Sequence, residues 1–599
     1  MPTNVVEIFE LSRVPRLDNR IYAVVLAVLL SAGCVLAPSQ QQSESSATAA
    51  ASEEAVPATA SEPTEAELPD VELDAELLYK VLIGEVAANR GARDTAADSL
   101  MEAARISRDP RLAQRATRLA LDAERYDLAQ EAATLWVELQ PDRSQPRESR
   151  ALIMAEQGRV EEAAAELIEL LGSGDGPGSA DLRRAARLLS QLSDKESALA
   201  VMERIVSAYQ DQPEAHFAEA FLADRVGRSK LVLGALDQAL VLRPDWEEAA
   251  LAKLGHLIQN DYPREQVAEF ALGFLDQAPE ANRVRISYAR YLVDQQASAD
   301  ALEQFRQVLK TEPDNTTGLL SAGLLSIQEG EYKAARKYLK RHLELTPDND
   351  QLRVYLGQIA EEQERYDAAE KWYRQVSDPD QIFEVGLRLG SVIYERDGVE
   401  AAIEHLDSLS PDNEDEFVRL ALTKEMVLRQ AEELERARAV LDDAVARYPG
   451  NTELRYSRGL LLARLDLISE HEQDMRVLLA EDPNNAHALN ALGYTLADAT
   501  DRFDEAYELI SKALEMRPDD PFILDSMGWV QYRLGNHEDA IEYLERALSQ
   551  REDAEIAAHL GEVLWVTGER ERARDVWTRA RRENPDNHVL NETIQRFIQ

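Results

Sequence analysis

A chain of 599 residues can bury a large core, and its length alone would suggest about four globular domains, although a repeat array can be one continuous object of any length. Aromatic residues at 6% and charged residues at 30%, in a text dominated by Ala, Leu and Glu, are the composition of stacked helices. The net charge of −45 repels nucleic acid and anionic headgroups and argues against both as ligands. Cys34 is the only cysteine, so an intramolecular disulfide and a cysteine-built metal site are both excluded. The nine histidines are scattered singly, without the spacing of a metal-binding helix, and read as surface or packing residues. No cofactor or metal is expected.

At the start of the chain, Arg13, Arg16 and Arg20 precede an apolar run from Ile21 to Leu30, which ends in Ser31-Ala32-Gly33-Cys34. The run is about half the roughly 20 residues that a membrane-spanning helix needs, and its parts are those of a secretory signal. Because its small residues stop at the lone cysteine, the segment resembles the lipobox of bacterial lipoproteins. That resemblance implies a signal peptide over residues 1–33 and a mature N-terminus at Cys34, carrying lipid on sulfur and amine. Ser31 stands where Leu is commoner, and Glu7, Glu10 and Asp18 cancel the basic flank. An uncleaved anchor helix running to about Ala37 is the competing reading. Val35, not Asp, follows the cysteine; by the sorting rule of such lipoproteins this implies delivery to the outer membrane, facing the periplasm. Residues 34–72 form the next segment. From Leu36 to about Asp70 it holds Ser, Ala, Gln, Glu, Thr and Pro with no Lys or Arg, and reads as a flexible acidic tether.

Beyond the tether a single period governs the text. Pro244, Pro279, Pro313 and Pro347 are spaced 35, 34 and 34 apart, and Pro449, Pro483 and Pro518 follow at 34 and 35. In several units a glycine is followed twelve residues later by an alanine: Gly323/Ala335, Gly357/Ala369, Gly390/Ala402, Gly528/Ala540 and Gly561/Ala573. Small residues at this spacing let two helices of a hairpin cross closely. A second small residue (Ala239, Ala444, Ala547, Ala580) seats the second helix against the next hairpin. The proline terminates that second helix, since it lacks an amide hydrogen and disfavours helix in its predecessor. The pattern resembles the tetratricopeptide repeat and implies an all-α, right-handed α-solenoid of about fifteen helical hairpins. Units over residues 73–171 are degenerate, with Thr117 where glycine is usual, and residues 179–599 carry the main superhelix. Between them Gly172 to Gly178 places four glycines in seven residues. No Gly-Lys-Ser/Thr follows, so the segment reads as a hinge and not as a phosphate cradle.

First helices line the inner wall of such a solenoid. In the repeat frame the wall-facing positions read His487, Asn490 and Tyr494; then Phe522, Asp525, Trp529 and Tyr532; then Glu555, Ala558, Glu562 and Trp565. Aromatics interleaved with hydrogen-bonding groups are the composition of protein-binding hot spots. Asn490, Tyr494, Asp525, Trp529, Tyr532 and Trp565 are therefore candidate binding residues, and Leu320 and Leu324 offer an apolar strip at the same positions. The competing reading is that Trp529 and Trp565 pack between repeats. No nucleophile–base arrangement stands out, so no catalytic residue is expected.

The text from Ala488 to Asp498, followed by Leu524 to Trp529, is more specific than generic repeat consensus. It resembles a family of Gram-negative outer-membrane tetratricopeptide lipoproteins, some of which act as adaptors for periplasmic carboxyl-terminal processing proteases and feed them substrates such as cell-wall hydrolases. The resemblance implies an outer-membrane adaptor that is not itself an enzyme. A scaffold for envelope assembly (pilus, secretion or exopolysaccharide machinery) would look identical in sequence. A peptidoglycan hydrolase is disfavoured, because no non-repeat stretch over about 50 residues follows the tether.

Overall fold

A computed structural model describes residues 74–172 and 178–598. The signal segment, Cys34 and the tether lie outside the described residues, as do residues 173–177 of the glycine-rich segment. Among the described residues there are 31 helices, from Ala75–Asn89 to His588–Phe597, and no strand. Consecutive helices pair as hairpins, and each packs mainly on its near neighbours in sequence. This is an α-solenoid.

The repeat signature has a direct physical reading. Helices Ser229–Leu242, Arg264–Gln277, Ser298–Thr311 and Tyr332–Leu345 each end two residues before Pro244, Pro279, Pro313 and Pro347. Two residues past several of these prolines an Asn or Asp opens the next helix. The side chains of Asn315, Asn349, Asn451, Asn485, Asp520 and Asn587 each accept an N–H from the first turn, at 2.8–3.3 Å. Each such cap satisfies an orphan amide and contributes about 1 kcal/mol. Inside the hairpins, Ala335, Ala369, Ala402, Ala540 and Ala573 are fully buried. A side chain added at Gly323, Gly357, Gly390, Gly528 or Gly561 would run into Leu339, Tyr373, Leu406, Leu544 or Trp577, sixteen residues on. The glycine–alanine spacing therefore marks the helix crossing. Of the second small residues, Ala239, Ala444 and Ala547 are buried and Ala580 is half-buried.

The described residues fall into two compact units, 74–313 and 314–598. In the first, one hydrophobic cluster joins Ala151, Ala164 and Leu167 to Leu182, Val201 and Ile205, so packing continues from one side of residues 173–177 to the other. The Tyr209 hydroxyl also donates to the Ile168 carbonyl at 3.2 Å. In the second unit, clusters succeed one another along the chain, centred on Tyr373, Leu441, Leu492 and Trp577. The rhythm is interrupted where the short helices Tyr366–Tyr373 and Val399–Asp407 alternate with the long helices Pro379–Asp397 and Glu414–Gln430.

A buried ionic clamp occurs once in each unit at the same spacing. In the first, Glu166 accepts from Arg147 at 3.0 Å and from Arg150 at 2.6 Å. In the second, Asp474 accepts from Arg455 at 3.1 Å and from Arg458 at 2.7 Å. An Arg-x-x-Arg turn on a first helix thus grips an acid on its second helix.

Candidate protein-binding site

A cavity of about 880 Å³ opens among the last repeats of the second unit. Three first helices, Ala486–Ala499, Pro521–Leu534 and Ala554–Val566, supply most of its wall, and the terminal helix His588–Phe597 adds Thr593 and Arg596. Residues one repeat apart come side by side because the hairpins stack in register. Tyr494 and Asp498 come from the first of these helices, Trp529, Tyr532 and Arg533 from the second, and His559 and Glu562 from the third.

At the centre, His559 stacks on Trp529 with ring centroids 4.3 Å apart, and Tyr532 lies 5.3 Å from Trp529 on the same helix. His559 Nδ1 bonds to the Asp525 carboxylate at 2.9 Å. Burial alone would lower the pKa of His559, but the Asp525 charge and hydrogen bond outweigh it and hold it above the ordinary histidine value. The indole N–H of Trp529 donates to Asp498 at 3.2 Å, and Arg533 donates to the Asp498 carbonyl at 2.9 Å. Burial pushes the Asp498 carboxyl upward, only partly opposed by His559 and Trp529. Arg596 pairs with Glu562, which the Tyr532 hydroxyl approaches at 3.4 Å. Burial likewise raises the Tyr494 hydroxyl, which has no hydrogen-bond partner although the residue is only 7% exposed. The Asn490 amide oxygen one turn earlier is also buried and unpartnered. The wall is thus aromatic, charged and partly unsatisfied. Among the described residues no cluster of His, Cys, Asp and Glu could hold a metal, and no helix is long and apolar enough to cross a membrane.

Models of the tetratricopeptide repeat match residues 287–350, 326–381, 426–486, 484–553 and 526–588. Over 490 residues the chain is 31% identical to TPR repeat-containing protein PA4667 of Pseudomonas aeruginosa, a match that covers 81% of this chain and 82% of that one. The chain belongs to the tetratricopeptide repeat proteins. Among solved structures it is similar to a tetratricopeptide repeat protein of Parabacteroides merdae, at 16% identity over 47% of this chain and 99% of that one, with a TM-score of 0.34. It is also similar to the APC/C hetero-tetramer Cut9–Hcn1, at 14% identity over 88% of this chain and 97% of that one, with a TM-score of 0.29. Tetratricopeptide repeats build scaffolds that bind other proteins, and none of the matched models is that of a catalytic family.

Within this tetratricopeptide array the candidate residues fall into three groups. Tyr494, Trp529 and Tyr532 line the cavity together, with Trp529 5% exposed and Tyr532 half-buried. Asn490 and Asp525 are buried behind them, Asp525 holding His559. Trp565 does not join the cavity. It lies against Trp577 at 5.8 Å and Phe597 at 6.4 Å, with Arg570 and Arg574 over its ring. That is packing within its hairpin and onto the terminal helix, so Trp565 is corrected from wall to core rim. Leu324 is buried and Leu320 half-buried, and neither lines this cavity.

The repeat frame missed Asp498, Arg533 and His559. Arg533 and His559 each follow a named wall position by one residue and Asp498 lies one turn beyond Tyr494, and a stripe over 100° wide includes such neighbours. On the helix Ala554–Val566, Glu562 keeps its wall place, whereas His559 and Val566 face the cavity where the frame named Ala558, which is buried, and Trp565. A separate depression of about 840 Å³ lies along Tyr332–Leu345 and is lined by Lys333, Arg336, Lys337 and Lys340, a basic strip that the net charge of the whole chain conceals.

Proposed function

We propose that this tetratricopeptide chain is a protein-binding adaptor held at the periplasmic face of the outer membrane by lipid on Cys34, where it recruits a carboxyl-terminal processing protease and that protease's substrates. The observation that carries the adaptor reading is the C-terminal cavity. Tyr494, Trp529 and Tyr532 from stacked first helices form one wall, with buried donors and acceptors beside them, which is the make-up of an interaction hot spot. Anchoring rests on the basic flank, short apolar run and lone cysteine of the sequence. Two or more acyl chains would hold the protein stably, and a tether of about forty residues would raise the local concentration of whatever it binds. An adaptor acts through its partner's chemistry. The choice of a processing protease rests on the resemblance of Ala488–Asp498 and Leu524–Trp529 to adaptor lipoproteins.

The test is affinity purification of the full chain from membranes, followed by mass spectrometry. Recovery of a carboxyl-terminal processing protease, with cell-wall hydrolases among its substrates, is the expected result. Recovery of pilus, secretion or exopolysaccharide components without a protease would replace the adaptor with an envelope-assembly scaffold.

A further inference from the structure

We propose that the C-terminal cavity is selective for cations and takes the ammonium or guanidinium group of a lysine or arginine side chain from an extended protein segment. This deepens the adaptor reading and rests on it. The first observation is the state of the charges already present. Arg596 is engaged by Glu562, His559 by Asp525, and Arg533 by the Asp498 carbonyl and the Phe503 ring 4.8 Å away. The Asp498 carboxylate receives one neutral indole N–H at 3.2 Å and has no described cation within ion-pair distance. His559 and Arg533 act on the Asp498 carboxylate only through space, with no direct ion pair among the described residues, and Asp466 adds a second carboxylate to the lining.

The second observation is independent of charge. The Tyr494 hydroxyl is buried, lines the cavity and has no partner. A buried polar atom in that state calls for an explanation, and a donor arriving with the ligand supplies one. Ammonium and guanidinium groups donate without accepting, so one cation can bond to both the Asp498 carboxylate and the Tyr494 oxygen. The third observation is the aromatic surround of Trp529 and Tyr532, whose ring faces attract a cation in a site screened from water. An anionic side chain would meet Asp498 and Glu562 instead and be rejected. Burial raises the pKa of Asp498 by more than His559, Trp529 and Arg533 lower it, as befits a carboxylate held without a direct ion pair.

The experiment uses the full chain and three fluorescein-labelled, end-blocked decapeptides of identical length, read by fluorescence anisotropy. One carries four lysines, the second carries ε-acetyl-lysine at the same positions, and the third carries glutamates. The expected result is that the lysine peptide binds at least about tenfold more tightly than either of the others. Asp498→Asn, which keeps the side chain's shape, should weaken the lysine peptide by about tenfold and leave the acetylated peptide unchanged. Tyr494→Phe, which removes only the unpartnered hydroxyl, should weaken it several-fold. Thermal melts of both variants show that the fold persists. Equal binding of lysine and acetyl-lysine peptides, or tighter binding of the glutamate peptide, overturns the inference. So does lysine binding that survives both substitutions, since attraction to the acidic surface at large would behave that way. Purification of membrane partners with wild type and Asp498→Asn separates the two claims. A wild type that recovers no partner sinks the adaptor reading, whereas a partner retained by Asp498→Asn sinks only the cation site.

Discussion

Gly561 sits where the last complete hairpin closes, and its place is dictated by Trp577, a fully buried indole that fills the space a methyl group would need. Gly561→Ala should cost about 3 kcal/mol through overpacking, read as a fall in the denaturation midpoint; unchanged stability would show that the crossing can spread without penalty. The turns inside hairpins behave in the opposite sense. Glu364 adopts a left-handed φ of 56°, where Gly330 and Gly568 serve elsewhere. Glu364→Gly should therefore leave stability unchanged or raise it by up to about 1 kcal/mol, against the usual loss for glycine. Asp350 predicts an acid response. Burial would raise its pKa, but backbone N–H groups of Ser377 and Asp378, each at 2.7 Å, together with the Ser377 hydroxyl and Arg353, hold it below the ordinary aspartate value. Its folded pKa is thus depressed, so its contribution is present above the unfolded value and is lost as pH falls through the folded one. Asp350→Asn should flatten the loss of stability below about pH 4 while lowering stability at pH 7; an unaltered acid limb would contradict this. The glycine, alanine and proline positions were legible because each is forced by a contact or a missing donor. The Asn and Asp caps that follow the prolines carry an equally plain signal. The left-handed Glu364 carries none, since nothing in a glutamate's chemistry favours that conformation.

At the scale of helices, the clamp of Arg455 and Arg458 on Asp474 joins the two members of a hairpin from within. Asp474 is 1% exposed, and its removal would leave Arg455 with only the Pro449 carbonyl and Arg458 with only the half-exposed Asp442 as acceptors. Asp474→Ala should destabilise the second unit by about 3–5 kcal/mol, and Asp474→Leu with both arginines replaced by Met should recover much of that loss. Failure of the triple replacement to recover stability would assign the clamp a role beyond charge balance. The helices were legible as elements from the 34-residue period. Which face of each first helix looks inward was legible only to within one residue. Tyr494, Trp529 and Tyr532 were placed on the wall, whereas Asp498, one turn beyond Tyr494, and His559, one residue past Ala558, emerge only when stacked hairpins bring them together. Trp565 shows the converse limit: an aromatic at a wall position turned to the rim once Trp577 and Phe597 offered it rings to pack against.

For the molecule as a whole, contacts mainly between near neighbours imply local transmission of damage. Hydrogen exchange on Gly561→Ala should quicken in residues 521–598 and remain as in wild type over residues 75–311; a uniform change would mean that the array melts as one unit. Cys34→Ala should abolish incorporation of an alkyne fatty acid and release the protein from outer-membrane fractions, and a wild type that takes up no label would contradict lipid anchoring. The central claim is that partners are held in the C-terminal cavity. The most direct measurement places a photo-cross-linking amino acid at half-buried Tyr532, with a control at exposed Glu542 on the adjoining second helix, and illuminates living cells. A covalent adduct to the processing protease or its substrate is expected from position 532 and none from position 542. An adduct from position 542 alone, or none from 532 while the partner still co-purifies, would contradict that claim.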